Sequence, residues 1–404
     1  MEKVKLRLYQ LTVFFTLVSL ALSLITSGKQ REFFYFAIYA SIIGLFFERK
    51  NITFRPFSIA LPILLAGMFN FAWYMLYEYP HEGMNIYNGY LLASKKLILG
   101  SILIFYLDRF KSYISAEAFQ RYFLLASGIG FFLASAYALW QMTHGFERAE
   151  MGINRATISA YIYSVLSLAF IYGLYLQKKM AAYVAVGVLI LFSWVIIFLT
   201  GTRAAMGLYL IISTLMTLYH FRKVQLKTVF IFLGSVAVLS ALSYNTYIKP
   251  RIDMTVNEIN SFKQGEDDTS LGARFSMWTV GIENGLAHPL GQSIENREKW
   301  TGNYVTDHPH FAASMIYINV HLHNEFIEKY SLQGIAGGVL LAFVFISLLV
   351  EGFRKHNTLL LMTTLSLLLY GLTDVILLSP EAGTFFLVMF ALCTIYRSPR
   401  LGVR

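Results

Sequence analysis

The chain has 404 residues, of which 56% are hydrophobic and 14% charged, with a mean hydropathy of +0.56 and a formal net charge of +10. Soluble domains carry about 25% charged residues, so this composition excludes a soluble globular protein. The positive charge calls for no nucleic-acid partner, because basic loops on one side of a membrane account for it. The single cysteine, Cys393, excludes an intrachain disulfide and a cysteine metal cluster.

A helix of about 20 apolar residues crosses a bilayer. Apolar runs of this kind fall at 8–26, 33–48, 57–77, 91–108, 119–141, 156–176, 181–200, 204–220, 227–244, 331–350, 357–376 and 382–397. The fold class expected is an all-α polytopic membrane protein of about 12 transmembrane helices. Met1–Arg7 is basic, but the run from Leu8 to Ile25 has no small-residue cleavage site behind it and is expected to stay as a helix. Residues 1–244 then hold spans one to nine, 245–330 form one large loop, and 331–404 hold spans ten to twelve. No internal repeat or low-complexity segment interrupts this pattern.

Lysine and arginine recur in alternate loops: Lys3, Lys5 and Arg7; Arg49, Lys50 and Arg55; Arg109 and Lys111; Lys178 and Lys179; Arg222 and Lys223; Arg354 and Lys355; Arg397, Arg400 and Arg404. The intervening short loops are poorer in them. Basic loops face the cytoplasm, so both termini are expected there and the 245–330 loop on the opposite face.

That loop is the long interval without a membrane-length apolar run, and it holds His288, His308, His310, His321 and His323, together with Arg251, Arg274 and Arg297. Within it, Ile252, Val256, Ile259 and Phe262 give a helical period over 251–263. Leu271, Phe275, Trp278, Ile282 and Leu286 give another over 271–286, with Ser270 as its N-cap and Gly285 and Pro289 closing it.

Four features carry candidate chemistry. Arg203, in LTGTRAAMG between two closely spaced runs, is either a functional intramembrane charge or an arginine reaching the surface from a helix end. Arg274, early in an amphipathic helix, suits an anion, or is simply a solvated side chain. The pairs His308/His310 and His321/His323 are spaced i, i+2, which does not share a helix face as zinc-binding histidines do, so no metal is expected. One of these histidines is a candidate general base. If 321–323 were helical, His321 would lie about 200° around the axis from His323. Asp374 interrupts the eleventh run and requires a cationic partner, a histidine to orient, or a helix end to cap.

At His323 the sequence HNEFIEKYSLQGIAGG separates His-Asn from Gly334 by nine residues and Gly334 from Gly337 by two. This resembles the O-antigen ligase family, as do GTRAAMG around Arg203, SLGARFSMW around Arg274, and the NVHLHNE and GLTDVI stretches. The resemblance covers the chain end to end. It implies a GT-C-like inner-membrane glycosyltransferase with a periplasmic loop between spans nine and ten. Such an enzyme moves O-antigen polysaccharide from undecaprenyl pyrophosphate to an outer-core sugar hydroxyl of lipid A–core, inverting at the anomeric carbon, with no metal and no cofactor. In that role His323 is the catalytic base, Arg203, Arg274, Asn324 and Asp374 bind substrate, and Asn324 or Glu325 fixes the His323 tautomer. The implied partners are the lipid-linked O-antigen, lipid A–core and membrane lipid.

Three other readings stay open on sequence. An O-antigen polymerase and a periplasmic protein O-oligosaccharyltransferase share the pattern. A polysaccharide transporter or flippase belongs to a different class, but transporters favour repeats and broken midplane helices, which this sequence lacks.

Overall fold

In a computed structural model, residues 2–52, 58–77, 85–177, 180–220, 234 and 249–396 are described, and every regular element among them is helical. Eight helices precede the loop: α1 Glu2–Ala21, α2 Ser27–Glu48, α3 Ala60–Tyr77, α4 Asn85–Arg109, α5 Ala116–Thr143, α6 Ala156–Tyr175, α7 Met180–Leu199 and α8 Arg203–His220. The run anticipated at 227–244 lies outside the described residues. The loop contributes α9 Lys249–Lys263, α10 Ser270–Ala287, α11 Ile294–Asp307 and α12 Ala313–Tyr317. The chain then closes with α13 Glu325–Arg354, α14 Thr358–Gly371 and α15 Pro380–Ile395.

Among the described residues, α1, α3, α4 (from Ile86), α5, α6 and α13 are long and apolar enough to cross a membrane, and Ala185–Leu199, Arg203–Tyr219, α14 and α15 are shorter apolar helices. The protein is an integral membrane protein built on this bundle. Its centre is α6 and α15, which are buried almost all round. An apolar helix with no polar face belongs inside such a bundle. The small residues Ala156, Ser159, Ala160, Ser164, Ser167 and Gly173 let neighbouring helices approach α6 closely.

The loop is a helical cap docked on the first turns of α13, and its core is Ala273, Met277, Ala313, Ile318 and Leu322. Both amphipathic helices expected in the loop are present, with changes at their ends. Thr269 rather than Ser270 caps α10, its hydroxyl accepting the Gly272 amide at 3.0 Å. Gly285 does not end that helix. It sits buried inside α10, and a Cβ there would stand 2.4 Å from the Tyr330 ring of α13. The glycine marks a close helix crossing rather than a stop. The α11 helix has a polar sequence, and no apolar run signals it.

Gly334 breaks α13 at φ 64°, ψ −159°, a conformation essentially confined to glycine. The notch receives the 288–291 turn: the Ile335 amide donates to the Pro289 carbonyl at 2.9 Å, and the Gln292 amide to that of Leu332 at 2.8 Å. A Cβ on Gly334 would stand 2.2 Å from the Pro289 carbonyl oxygen and 2.6 Å from the Gly291 nitrogen. Backbone strain of this kind costs about 1–3 kcal/mol before any clash. Gly334→Ala is therefore expected to lower the melting temperature of the detergent-solubilised protein clearly, whereas Gly338→Ala, with nothing within 4 Å of the added methyl, should leave it unchanged.

Candidate active site

The site forms where the 318–324 segment turns into α13. Asn324 caps that helix: its side-chain oxygen accepts the Phe326 and Ile327 amides at 3.0 and 3.2 Å, and its amide donates to the Leu372 carbonyl at 3.0 Å. Glu325 accepts the Ile376 and Leu377 amides at 2.7 and 3.0 Å. These bonds fasten the α14–α15 connection against the start of α13 and bring Asp374 beside His323.

His323 Nδ1 lies 3.2 Å from Asp374 Oδ1, and the same oxygen accepts the Val375 amide at 2.8 Å. The helix α14 ends at Gly371, so Asp374 lies in a loop rather than inside a span. Burial would raise the Asp374 carboxyl, but the His323 hydrogen bond and the charge on both histidines hold it below its ordinary value. An ionised carboxylate only accepts, so Nδ1 carries the His323 proton and Nε2 keeps the basic lone pair. Asp374, not Asn324 or Glu325, thus meets the ring nitrogen that sets the tautomer: Asn324 bonds backbone groups and Glu325 Oε2 holds two backbone amides.

His323 itself is left-handed, at φ 48°. Its carbonyl accepts Trp278 Nε1 at 3.3 Å, and the Tyr317 ring meets its ring edge-on at 5.9 Å. Because 321–324 is not helical, His321 is not turned away: the two imidazoles stand 4.3 Å apart, edge to face. His321 Nδ1 is buried without a hydrogen-bond partner. Burial pushes the His321 imidazole down, with His323 and Arg155 adding to this and Asp374 and Glu328 opposing it. Donor atoms of His321, His323 and Asp374 all lie within 4.8 Å of one another, which makes them the described residues able to share a metal ion. His308 and His310 are elsewhere, in a ring stack with Tyr304 and Phe311.

A cavity of about 510 Å³ opens beside His323, lined also by Arg274, Met277, Ile316, Tyr317 and Asp268. His323 retains 24% of its side-chain surface and Asp374 only 9%, so the imidazole, not its carboxylate, faces the cavity. Asn324 and Asp374 do not line it, although both were expected to bind substrate. Arg274 makes no hydrogen bond or ion pair among the described residues, so its charge is available to an anion. Arg203 starts α8 after a turn with Gly201 at φ 66°. Its guanidinium pairs with Glu258 at 3.1 Å and bonds Thr255 at 3.1 Å. It does not line the cavity; its partners Glu258 and Thr255 are on α9, which meets α10 through the Phe262–Phe275 ring contact at 5.2 Å. Tyr317 and Trp278 were not singled out as site residues by their sequence, and only their place in apolar helical turns marks them.

The O-antigen ligase family profile matches residues 188–342, a stretch that contains Arg203, Arg274 and His323. The O-antigen ligase of Escherichia coli (strain K12) is 27% identical over 340 residues, 82% of this chain and 79% of the relative. Both comparisons make the chain similar to O-antigen ligases. The profile match spans part of the membrane bundle and the cap, and the His323–Asp374 pair lies where the two parts meet.

Two titrations act on fold stability in the same direction. His321 resists protonation when folded, so as pH falls below about 6.5 the unfolded chain gains a proton that the folded chain refuses, and stability drops. Asp374, depressed when folded, contributes stability above its unfolded value that is lost as pH falls through the folded one. Thermal unfolding in detergent should therefore show a midpoint that falls as pH drops below about 6.5 through His321, with the Asp374 contribution lost only below about pH 3.8. His321→Phe is expected to flatten the part of that slope nearest pH 6; a wild-type slope in that variant would assign the effect to other groups.

Proposed function

We propose that this protein transfers O-antigen polysaccharide from undecaprenyl pyrophosphate to an outer-core sugar hydroxyl of lipid A–core, at the periplasmic face of the inner membrane, with both termini cytoplasmic and a GT-C-like bundle. The observation that carries the reading is His323, tied to Asp374 at its Nδ1, facing a cavity that is also lined by Arg274, which has no partner among the described residues. An imidazole tied at Nδ1 to a carboxylate is a general base, and a free guanidinium beside it fits a phosphate leaving group.

In the step proposed, the acceptor hydroxyl oxygen attacks the anomeric carbon from the face opposite the pyrophosphate. His323 Nε2 takes the hydroxyl proton, and Asp374 stabilises the imidazolium that forms. The bond from the anomeric carbon to the pyrophosphate oxygen breaks, configuration inverts, and the leaving charge falls on Arg274. Arg203 supplies a second guanidinium, for which the pyrophosphate competes with Glu258. No metal is required in this scheme.

A general base contributes about 10²–10⁴-fold. His323→Ala should abolish O-antigen attachment in a strain lacking the native protein, leaving core-only lipopolysaccharide and accumulated lipid-linked polymer; accumulation of single lipid-linked units would indicate a polymerase instead. Arg274→Ala should cost about tenfold or more, and lysine should rescue it poorly. Glu258→Gln should lower the donor KM with little change in kcat. Ligation by purified protein should survive excess EDTA; loss of activity restored by one metal would make His321, His323 and Asp374 its ligands.

A further inference from the structure

The cap turns an apolar edge outward at one place. Ile282 and Leu286 of α10 and Leu290 in the following turn are 44%, 60% and 94% exposed. They repeat every four residues, and Ile282 and Leu286 lie about 100° around α10 from Gly281 and Gly285, which pack against α13. Leu290 follows Pro289, whose carbonyl accepts the Ile335 amide at 2.9 Å, so this turn meets α13 at Ile335.

Ile335 begins a stripe on α13: Ile335, Val339, Phe343, Ile346, Val350 and Phe353 are 44–62% exposed. From 335 to 353 the helix rises about 27 Å, close to the hydrocarbon thickness of about 30 Å. The stripe ends at Arg354 and Lys355 on one side and at Ile335 on the other. Ile335 therefore marks the edge of the hydrocarbon on the side of the cap. Two aromatic side chains at the end of α3 touch the same turn: Trp73 Nε1 donates to the Leu332 carbonyl at 2.9 Å and to that of Gln292 at 3.1 Å, and Tyr77 donates to Gly291 at 3.4 Å. Tryptophan and tyrosine mark the membrane–water boundary.

We propose that the cap is seated in the bilayer: Leu286 and Leu290 insert among the acyl chains of the leaflet on the cap side, continuous with the lipid-facing stripe of α13. The occupant of this surface is lipid. The contact sets the height of α10, which carries Arg274, so the cavity opens at the membrane surface. If the proposed function holds, that is where a polyprenyl pyrophosphate presents its phosphates.

The depth of the turn is measurable without any assay of ligation. Cys393 is fully buried, so a cysteine introduced by Leu290→Cys is the one a nitroxide reagent labels. In proteoliposomes of full-length protein, the label at position 290 is expected to collide preferentially with dissolved oxygen over a water-soluble nickel chelate. A label introduced by Asn303→Cys, on the exposed face of α11, should show the reverse. Leu286→Cys serves if the first variant does not fold, with the same expectation. Nickel-dominated relaxation at 286 and 290, matching position 303, would overturn the anchor while leaving the ligase reading untouched. Oxygen-dominated relaxation together with near-normal ligation by His323→Ala would do the opposite.

Discussion

A fully buried ion pair holds the site to the membrane bundle. Arg297 of α11 and Glu328 of α13 meet at 3.1 Å with neither side chain exposed. The same Glu328 oxygen accepts the Leu322 amide at 2.9 Å, and Arg297 reaches the Ile318 carbonyl and the Ser331 hydroxyl. Three segments, α11, 318–322 and α13, are joined through two side chains, and the chain between Ile318 and Leu322 leads directly into His323. Removing one partner of such a pair costs about 3–5 kcal/mol, because the other charge is left buried alone. A second polar cluster lies beside it: Asn70 of α3 accepts from both Lys329 and Gln333 at 2.9 Å, and Lys329 sits 4.2 Å above the Tyr90 ring. Both clusters act on the first two turns of α13, so the position of the base is set where loop and span meet.

The layout of the site follows from that junction. Asn324 and Glu325 spend their side chains on amides, which closes α14 and α15 over the start of α13 and delivers Asp374. Gly334 then bends α13 to receive the 288–291 turn. The His-Asn and glycine elements of one sequence motif thus do different work: the histidine faces the cavity, the asparagine caps a helix, and Gly334 is a docking notch. Gly337 is a close-packing position, where an added Cβ would stand 2.4 Å from Gln333.

The membrane character and most helices were legible because apolar runs of bilayer length are a strong signal. The α9 and α10 stripes were legible through their period. The α11 helix was not, because it is polar and is held by Arg297, whose role depends on Glu328, a residue 31 positions away. His321 was misplaced for a local reason: a helix was assumed across 321–323, while the left-handed His323 and the Asn324 cap end any helix there. Asp374 had three open partners in the sequence, and only the fold brings it to His323. Arg203 and Arg274 could be singled out by residue type, but not the pairing that gives Arg203 the Glu258 carboxylate of α9.

The most direct measurement is a structure of the full-length protein in lipid with a polyprenyl-pyrophosphate sugar bound. The account predicts phosphate oxygens within hydrogen-bond distance of the Arg274 guanidinium and the anomeric carbon on the side of the cavity that His323 Nε2 faces. A donor whose phosphates lie away from Arg274, with His323 still closed against the cap, would contradict it.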